Sequence, residues 1–362
     1  MRALLALLTF ANAAGCLFVY STEDEQGGSG EGLGGGAGGP VTGGAGIGGG
    51  TGGVGGLDQV EVGDLGALGG EVAIRDGQGA VLSGMPPSLL SRFESVTSAA
   101  PVIAGVPSVG NGFAMLSDGR VVYSRSTVSP AVSPIWVCDD SACTDWYLAA
   151  PDRVLFGGLA SFPGGVAAVR SDGGTLDVLD EDGVLLTSLG DPADTGTRVA
   201  ARRCDDGAER IVWAVQDSSG MVSTVRVATR ATPGEPFTPG DEATLDGVVV
   251  HLAIAPDCTY FGVVQARGVS TYLELDAPSS PIALPVTGPA KGRLEVDDTF
   301  TFLVEQPGNS TDVLLLACPR GDFSRDQCVA APFVCGTIGG MALDGPGAVV
   351  STCDTRLVRW KP

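Results

Sequence analysis

A hairpin signature returns along most of this chain, and it restricts the fold more than any other feature. The segments GFAMLSDGRVVYS, GVAAVRSDGGTLDVL, RVAARRCDDGAERIVWAV, VHLAIAPDCTYFGVV and GRLEVDDTFTFLV, with a terminal GGMALDGPGAVVST, each set two short apolar or alternating runs about a polar turn. Period-two alternation marks strands, and Asp-Gly between two such runs is the strongest short hairpin signal. The turns recur roughly every 40 to 55 residues, at or just above the interval of a four-stranded repeat unit. Third strand-like runs follow most of them, such as Met221 to Ala228 or Thr271 to Leu275, and no convincing helical period interrupts the series. Composition points the same way: 56 Gly and 23 Pro with 17% charged residues suit turns and suit helix interiors badly. The fold class is all-β.

The first sixteen residues, MRALLALLTFANAAGC, set the compartment. Arg2, an apolar run from Ala3 to Ala11 and the small tetrad Ala13-Ala14-Gly15-Cys16 read as a bacterial export signal ending in a cysteine. An apolar run of about nine residues falls far short of the ~20 that cross a bilayer as a helix, so it is a signal core and not a span. Ala-Ala-Gly-Cys resembles the lipobox of bacterial lipoproteins, with Ala13 where that family usually has Leu. The resemblance implies a diacylglycerol thioether on Cys16 as the lipid attachment. Because Leu17 follows instead of Asp, it also implies sorting to the outer membrane of a Gram-negative cell, facing periplasm or surface. Ala11-Asn12-Ala13 also fits the small-x-small site of ordinary signal peptidase, and that route would release a soluble secreted protein with Cys16 as a free thiol.

After Glu23, Asp24 and Glu25, the stretch from Gly27 to Gly56 is almost wholly Gly with scattered small residues. It offers no side chains for a core and predicts a flexible coil, with an r.m.s. span of ~30 Å and a full reach of ~100 Å. A phosphate-cradling glycine loop fits poorly, since no strand precedes it, no helix follows and no GK[ST] is present. The organisation expected is a signal peptide over 1–15, an anchored acidic and Gly-rich linker over 16–56, and a β domain over 57–362.

The formal charge of -21 repels phosphate backbones and anionic lipid surfaces, so nucleic-acid binding has no electrostatic footing; the acidity reads as solubility for an exported protein. Nine cysteines become eight once Cys16 is set aside. In an oxidising compartment, Cys138, Cys143, Cys204, Cys258, Cys318, Cys328, Cys335 and Cys353 read as four disulfides in preference to metal ligands or reactive thiols.

The run LAIAPDCTYFGVV resembles the apolar-Ser-Pro-Asp-Gly-x-x-aromatic-apolar repeat of TolB-type and WD-like β-propellers, with Cys258 where those families usually have Gly. The resemblance implies a ring of six blades from about Gly70 to Trp360, the hairpin Val72 to Leu82 completing the last blade and pairing its open edge. In such a ring Cys138 with Cys143, and Cys318 with Cys328, would each clasp the outer hairpin of one blade. Cys204 and Cys258 would lie side by side in the same turn of consecutive blades, and Cys335 and Cys353 would flank the first hairpin of the last.

Chemistry is sparsely signalled. His251, the single histidine, sits in the apolar run Val248 to Ile254 with no G-x-S-x-G turn to meet it and no second histidine for a metal, so it reads as structural. Asp177, Asp180, Glu181 and Asp182 form the densest carboxylate group, but their spacing is not that of an EF-hand, and Asp182-Gly183 reads as a solvated turn. Neither Ser171-Asp172-Gly173-Gly174 nor Asp217-Ser218-Ser219-Gly220 completes the sialidase-type Ser-x-Asp-x-Gly-x-Thr-Trp turn, and Trp136, Trp146, Trp213 and Trp360 read as blade packing. Asn309-Ser310-Thr311 spells a sequon that a bacterial lipoprotein would leave unmodified. No catalytic set, metal site or cofactor motif is legible. The expected role is an anchored, non-catalytic binding or scaffold module for an envelope protein or a glycan. The alternative is an envelope polysaccharide hydrolase or lyase using acidic residues of a propeller funnel.

Overall fold

The computed structural model describes residues 56–84, 88–94, 100–106, 109–125, 135–147, 156–171, 173–191, 194–267, 269–275, 282–283, 290–306, 311–320 and 326–362. The export signal, Cys16 and residues 16–55 of the linker lie outside the described residues, as do Asn309 and Ser310 of the sequon. The β body falls within Gly53–Pro362.

Among the described residues, 28 strands form seven four-stranded antiparallel sheets. Their first strands are β2 (Gly69–Arg75), β6 (Val109–Met115), β10 (Phe156–Phe162), β14 (Thr195–Arg203), β18 (Val248–Ile254), β22 (Ala290–Val296) and β26 (Met341–Leu343). Each lies against the first strands of the sheets before and after it, and β26 lies against β2. That cyclic order closes seven blades around an axis: the fold is a β-propeller, with the first strands innermost. The closing contact comes from β1 (Asp58–Asp64), which pairs antiparallel with β28 (Arg356–Lys361), Asp58 opposite Lys361 and Asp64 opposite Arg356. Blade 7 is thus built from sequence at both ends of the body, and the β1–β28 ladder ties those ends together.

The ring holds seven blades where six were expected, because the first hairpin opens a blade that was not counted. The hairpin Val72 to Leu82 belongs to β2 and β3 (Gln78–Ser83), which open a blade of their own and do not complete the last one. The strand that does so, β1, reads DQVEVGD and is exposed along most of its length, so it lacks the apolar run by which buried strands announce themselves. The register within blade 3 also differs: GVAAVRSDGGTLDVL is its second and third strands, β11 (Gly165–Arg170) and β12 (Leu176–Leu179), and the first hairpin of that blade turns at Pro163-Gly164. Aligning it with the first hairpins of other blades slips the repeat by one strand.

The core lies between blades. Seven clusters of buried side chains fill the seams: Val62, Val72, Val81 and Leu357 between blades 7 and 1, for example, and Val212, Val225, Leu252 and Tyr260 between blades 4 and 5. Backbones close to the axis approach so tightly that a Cβ added at Gly196 would run into the Arg170 carbonyl. Four turn aspartates of the repeat act alike, in that Asp118, Asp206, Asp257 and Asp297 each accept the backbone N–H two residues ahead, at 3.0, 2.9, 2.9 and 2.7 Å. Cys258 adopts φ 74°, where the turns of blades 2 and 4 carry Gly119 and Gly207 at 85° and 86°. A side chain there costs about 1 kcal/mol. In return it brings Cys258 beside Cys204.

Candidate functional site

Among the described residues, the innermost strands bring together blades that are not neighbours. In blades 1 to 6 the pairing of first and second strands slips by a β-bulge near the start of the inner strand, at Gly69/Val72, Val109/Phe113, Phe156/Gly158, Gly196/Arg198, Val249/His251 and Ala290/Leu294. A bulge re-aims the side chains beside it. Arg198, His251 and Arg293 all sit at such a slip.

Arginines then span the centre. Arg75 of blade 1 donates through Nη1 to the carbonyls of Met115 in blade 2 (3.4 Å) and Phe162 in blade 3 (3.5 Å). Three blades on, Arg202 of blade 4 repeats the motif, donating to Ile254 of blade 5 (3.1 Å) and Val296 of blade 6 (3.4 Å). Arg293 of blade 6 reaches Glu71 of blade 1 at 2.7 and 3.1 Å and also donates to the Gly339 carbonyl. Arg198 donates to Val250 at 2.7 Å and to Gly157 at 3.1 Å, on either side of its own blade. Contacts two blades away are available only across the axis, so these guanidiniums line and brace it. Four arginines against Glu71, Glu181 and Glu295 gather cationic groups at the axis of a chain of net charge -21.

The environment tunes the remaining axial groups. Glu295 of β22 has no hydrogen bond or ion pair to the protein among the described residues, and burial pushes its pKa up to about 8 although Arg202 and Arg293 pull the other way. Burial, reinforced by Arg293 and Arg198, pushes His251 down to about 3; its Nε2 lies 2.8 Å from the Leu294 carbonyl, which fixes a neutral ring donating through Nε2. For Arg293 burial opposes the charge, and Glu71 outweighs it.

A second concavity of about 520 Å³ opens between blades 1 and 2. Phe93, Met115 and Gly79 line it together with Arg92, Glu94, Asp118, Arg120, Asp139 and Asp140. Most of its charges serve local structure: Arg92 pairs with Asp140 at 3.0 Å, and Asp139 is held down to about 2 by Ser141 and the backbone of the turn it caps.

The carboxylate group around residue 180 is not one site. Asp177 is buried and accepts from Tyr147 (3.0 Å), Arg170 (2.8 Å) and Ser188 (2.7 Å), locking the outer strand of blade 2 to blade 3. Asp180 caps its own turn through the N–H groups of Asp182 and Val184, whereas Glu181 turns toward Ser117 and Arg75. Among the described residues no group of three or more metal-ligating side chains converges. Trp136 and Trp146 lie in blade 2, Trp213 in blade 4 and Trp360 in blade 7, so the tryptophans do not assemble one platform.

The structure places the eight downstream cysteines in disulfide-like pairs. Cys138 faces Cys143 and Cys318 faces Cys328 with Cα atoms 4.1 Å apart in each case; Cys204 faces Cys258 at 5.4 Å and Cys335 faces Cys353 at 5.3 Å. Such pairs point to an oxidising, extracytoplasmic location. Sequence reading missed the axial arginines. The available signal was the i, i+4 pair Arg198 and Arg202 inside the inner strand TGTRVAARR.

The chain resembles solved β-propellers in shape at low sequence identity. It is similar to the WD40 propeller domain of Doa1 (TM-score 0.56, 14% identity, 84% of this chain and 97% of that one). It is also similar to BBS1N in a complex with ARL6DN (0.57, 9%, 84% and 95%) and to YCF48 bound to a D1 peptide (0.52, 10%, 84% and 94%). No protein-family model and no curated protein sequence matches it. These likenesses show a WD40-like propeller fold.

Proposed function

We propose that this chain is an exported binding or scaffold module, tethered through Cys16 to the outer membrane by lipid and standing off on its glycine linker. The observation that carries the non-catalytic reading is the braced axis. Glycoside hydrolysis would need two free carboxylates facing a substrate there; here Glu71 is committed to Arg293, and Glu295 sits among arginines that also hold backbone carbonyls. Rigid blades with filled seams suit display of loops to a protein or glycan partner. BBS1N is solved in complex with ARL6DN and YCF48 bound to a D1 peptide, and the analogy from those propellers to this chain is one of fold.

The test has three parts. Fractionation of Cys16→Ala against wild type reads the anchor: the reading requires the variant to leave the membrane fraction. Non-reducing peptide mapping reads the cysteine pairs, and any partner of Cys204 other than Cys258 contradicts the proposed bracing. Polysaccharide turnover by the purified protein, lost on Glu295→Gln or Glu71→Gln, would replace the scaffold reading with the hydrolase or lyase.

A further inference from the structure

A row of directly opposed residues crosses blade 4. Val199 on β14, Trp213 on β15 (Glu209–Gln216), Arg226 on β16 (Val222–Arg230) and Glu242 on β17 (Thr238–Asp246) pair one with the next, so their side chains share one face of the sheet. That face meets blade 3, where Trp213 belongs to the buried cluster that fills the seam with Phe162, Val169 and Leu176. Beyond the packed seam the two blades leave a notch of about 280 Å³. Trp213, Arg226 and Glu242 line it from blade 4, and Gly190 and Asp191 line it from the end of the outermost strand of blade 3, β13 (Leu185–Leu189).

Two donors of this notch lack acceptors. Arg226 donates through Nε to Glu242 at 2.9 Å and through Nη2 meets Asp194 at 3.0 Å. Its Nη1 and the indole Nε1 of Trp213 are buried and have no hydrogen-bond partner among the described residues. Trp213 is 2% exposed. Nη1 lies 3.7 Å from where a Cβ on Gly190 would stand, which sets it against the blade 3 wall of the notch. A buried donor without an acceptor carries its full desolvation cost, and an acceptor seated in the notch would remove it. The surrounding charge decides which acceptor fits. One guanidinium stands against the carboxylates of Asp191, Asp194 and Glu242, so an anion entering the notch meets an excess of like charge, whereas a cation brings no acceptor for the two N–H groups. A neutral hydroxyl suits both, because its oxygen accepts from nitrogen while its proton goes to a carboxylate, whose lone-pair sites exceed those that Arg226 uses. Leu189 and Pro239 add apolar wall for the C–H face of a ring. The notch is at the small end of ligand cavities, which begin at about 300 Å³, and so takes a single ring.

We infer that the notch between blades 3 and 4 binds one neutral sugar ring of a glycan, with Trp213 and Arg226 as hydrogen-bond donors and Asp191 and Glu242 as acceptors. The wall of the notch covers both donors, and the irregular pairing between Arg226 and Ala228, opposite Pro239, is where that wall yields to admit the ring. The inference rests on the binding-module reading of the proposed function and names a ligand class for it.

The test is saturation-transfer NMR on the full mature protein in detergent, with glucose, galactose, mannose and N-acetylglucosamine as neutral probes and glucuronate and galacturonate as anionic counterparts. The site predicts transfer to at least one neutral sugar and binding at least tenfold weaker for the uronates. Arg226→Lys keeps the charge between Asp194 and Glu242 but loses the Nη1 donor. Gly240→Leu fills the notch at a lining position where a Cβ meets only Val227, at 3.6 Å or more. Each should weaken sugar binding at least tenfold, with thermal melting of the same samples showing that the propeller is folded. Absence of transfer to all four neutral sugars in the wild type overturns the site, as does binding that either variant retains or a preference for a uronate. Such a failure leaves the scaffold reading standing with a protein partner, whereas polysaccharide turnover lost on Glu295→Gln or Glu71→Gln strikes that reading and not this site.

Discussion

The axis and the rim of this propeller use charge in opposite ways. At the axis, Arg75, Arg198, Arg202 and Arg293 are drawn in from an acidic chain and donate to carbonyls of other blades. At the rim, pairs such as Arg92 with Asp140 face water, the aspartate side chain being 75% exposed. The same ion types do different work because solvent screening differs. A paired charge in an enclosed site leaves an uncompensated partner when it is removed, whereas an exposed pair is replaced by water at little cost.

The largest expected effect is therefore at the centre. Arg293→Ala strands the Glu71 carboxylate and the Gly339 carbonyl together, and should lower stability by about 3 kcal/mol in urea unfolding. Adding Glu71→Ala should recover part of that loss, since the partner left alone is then gone. A loss no greater than that of an exposed pair would erase the contrast between axis and rim.

Between the two regions lies Asp177, buried yet far from the axis. Asp177→Asn keeps the shape and removes the charge that Arg170 meets at 2.7 Å, with an expected cost of about 2 kcal/mol. Tyr147 reports the same change by spectroscopic titration. Burial and the adjacent Asp177 carboxylate push its hydroxyl up to about 12 from 10.0, so the substitution should bring its titration to lower pH. If the tyrosine titrates unchanged, the lock between blades 2 and 3 does not form as described.

These two sites also show what a sequence makes legible. Hairpins, turn aspartates and an all-β ring follow from local rules, because Asp257 and its relatives act within two residues of themselves. Blade number did not follow because β1 is polar and gives no sign that it completes the last blade, and the register of blade 3 did not because its Asp-Gly turn lies in the second hairpin. Asp177 read as part of a solvated turn since its partner Tyr147 lies 30 residues away on another blade. Arg293 and Glu71 are 222 residues apart, and ring closure alone brings them together.

A third measurement separates burial from pairing at the axis. Glu295 is raised to about 8 from 4.5, so the native state keeps a proton that the unfolded chain releases. Its contribution to stability falls as pH rises from 4.5 to 8 and stays low above that. Glu295→Gln should match wild type near pH 4 and gain relative stability through pH 8. His251 slopes the other way: lowered to about 3 from 6.5, it remains neutral when folded, so stability is lost as pH falls from 6.5 toward 3. A Glu295→Gln difference flat across pH 4 to 9 would mean that the carboxyl is hydrated like one at the rim.

The smallest effect belongs to the rim itself and supplies the reference for the others. Arg92→Ala removes the 3.0 Å contact with Asp140, a pair held in high dielectric by two side chains that lose rotamer freedom in making it. The expected loss is below about 0.5 kcal/mol and should shrink further at 1 M salt, where the screening length is about 3 Å. Arg293→Ala should keep more of its cost at that salt, because the Glu71 side chain is 32% exposed against 75% for Asp140 and meets fewer ions. Equal salt sensitivity in the two variants would place both pairs in the same solvent, and the division between axis and rim would then be one of position without a difference in energy.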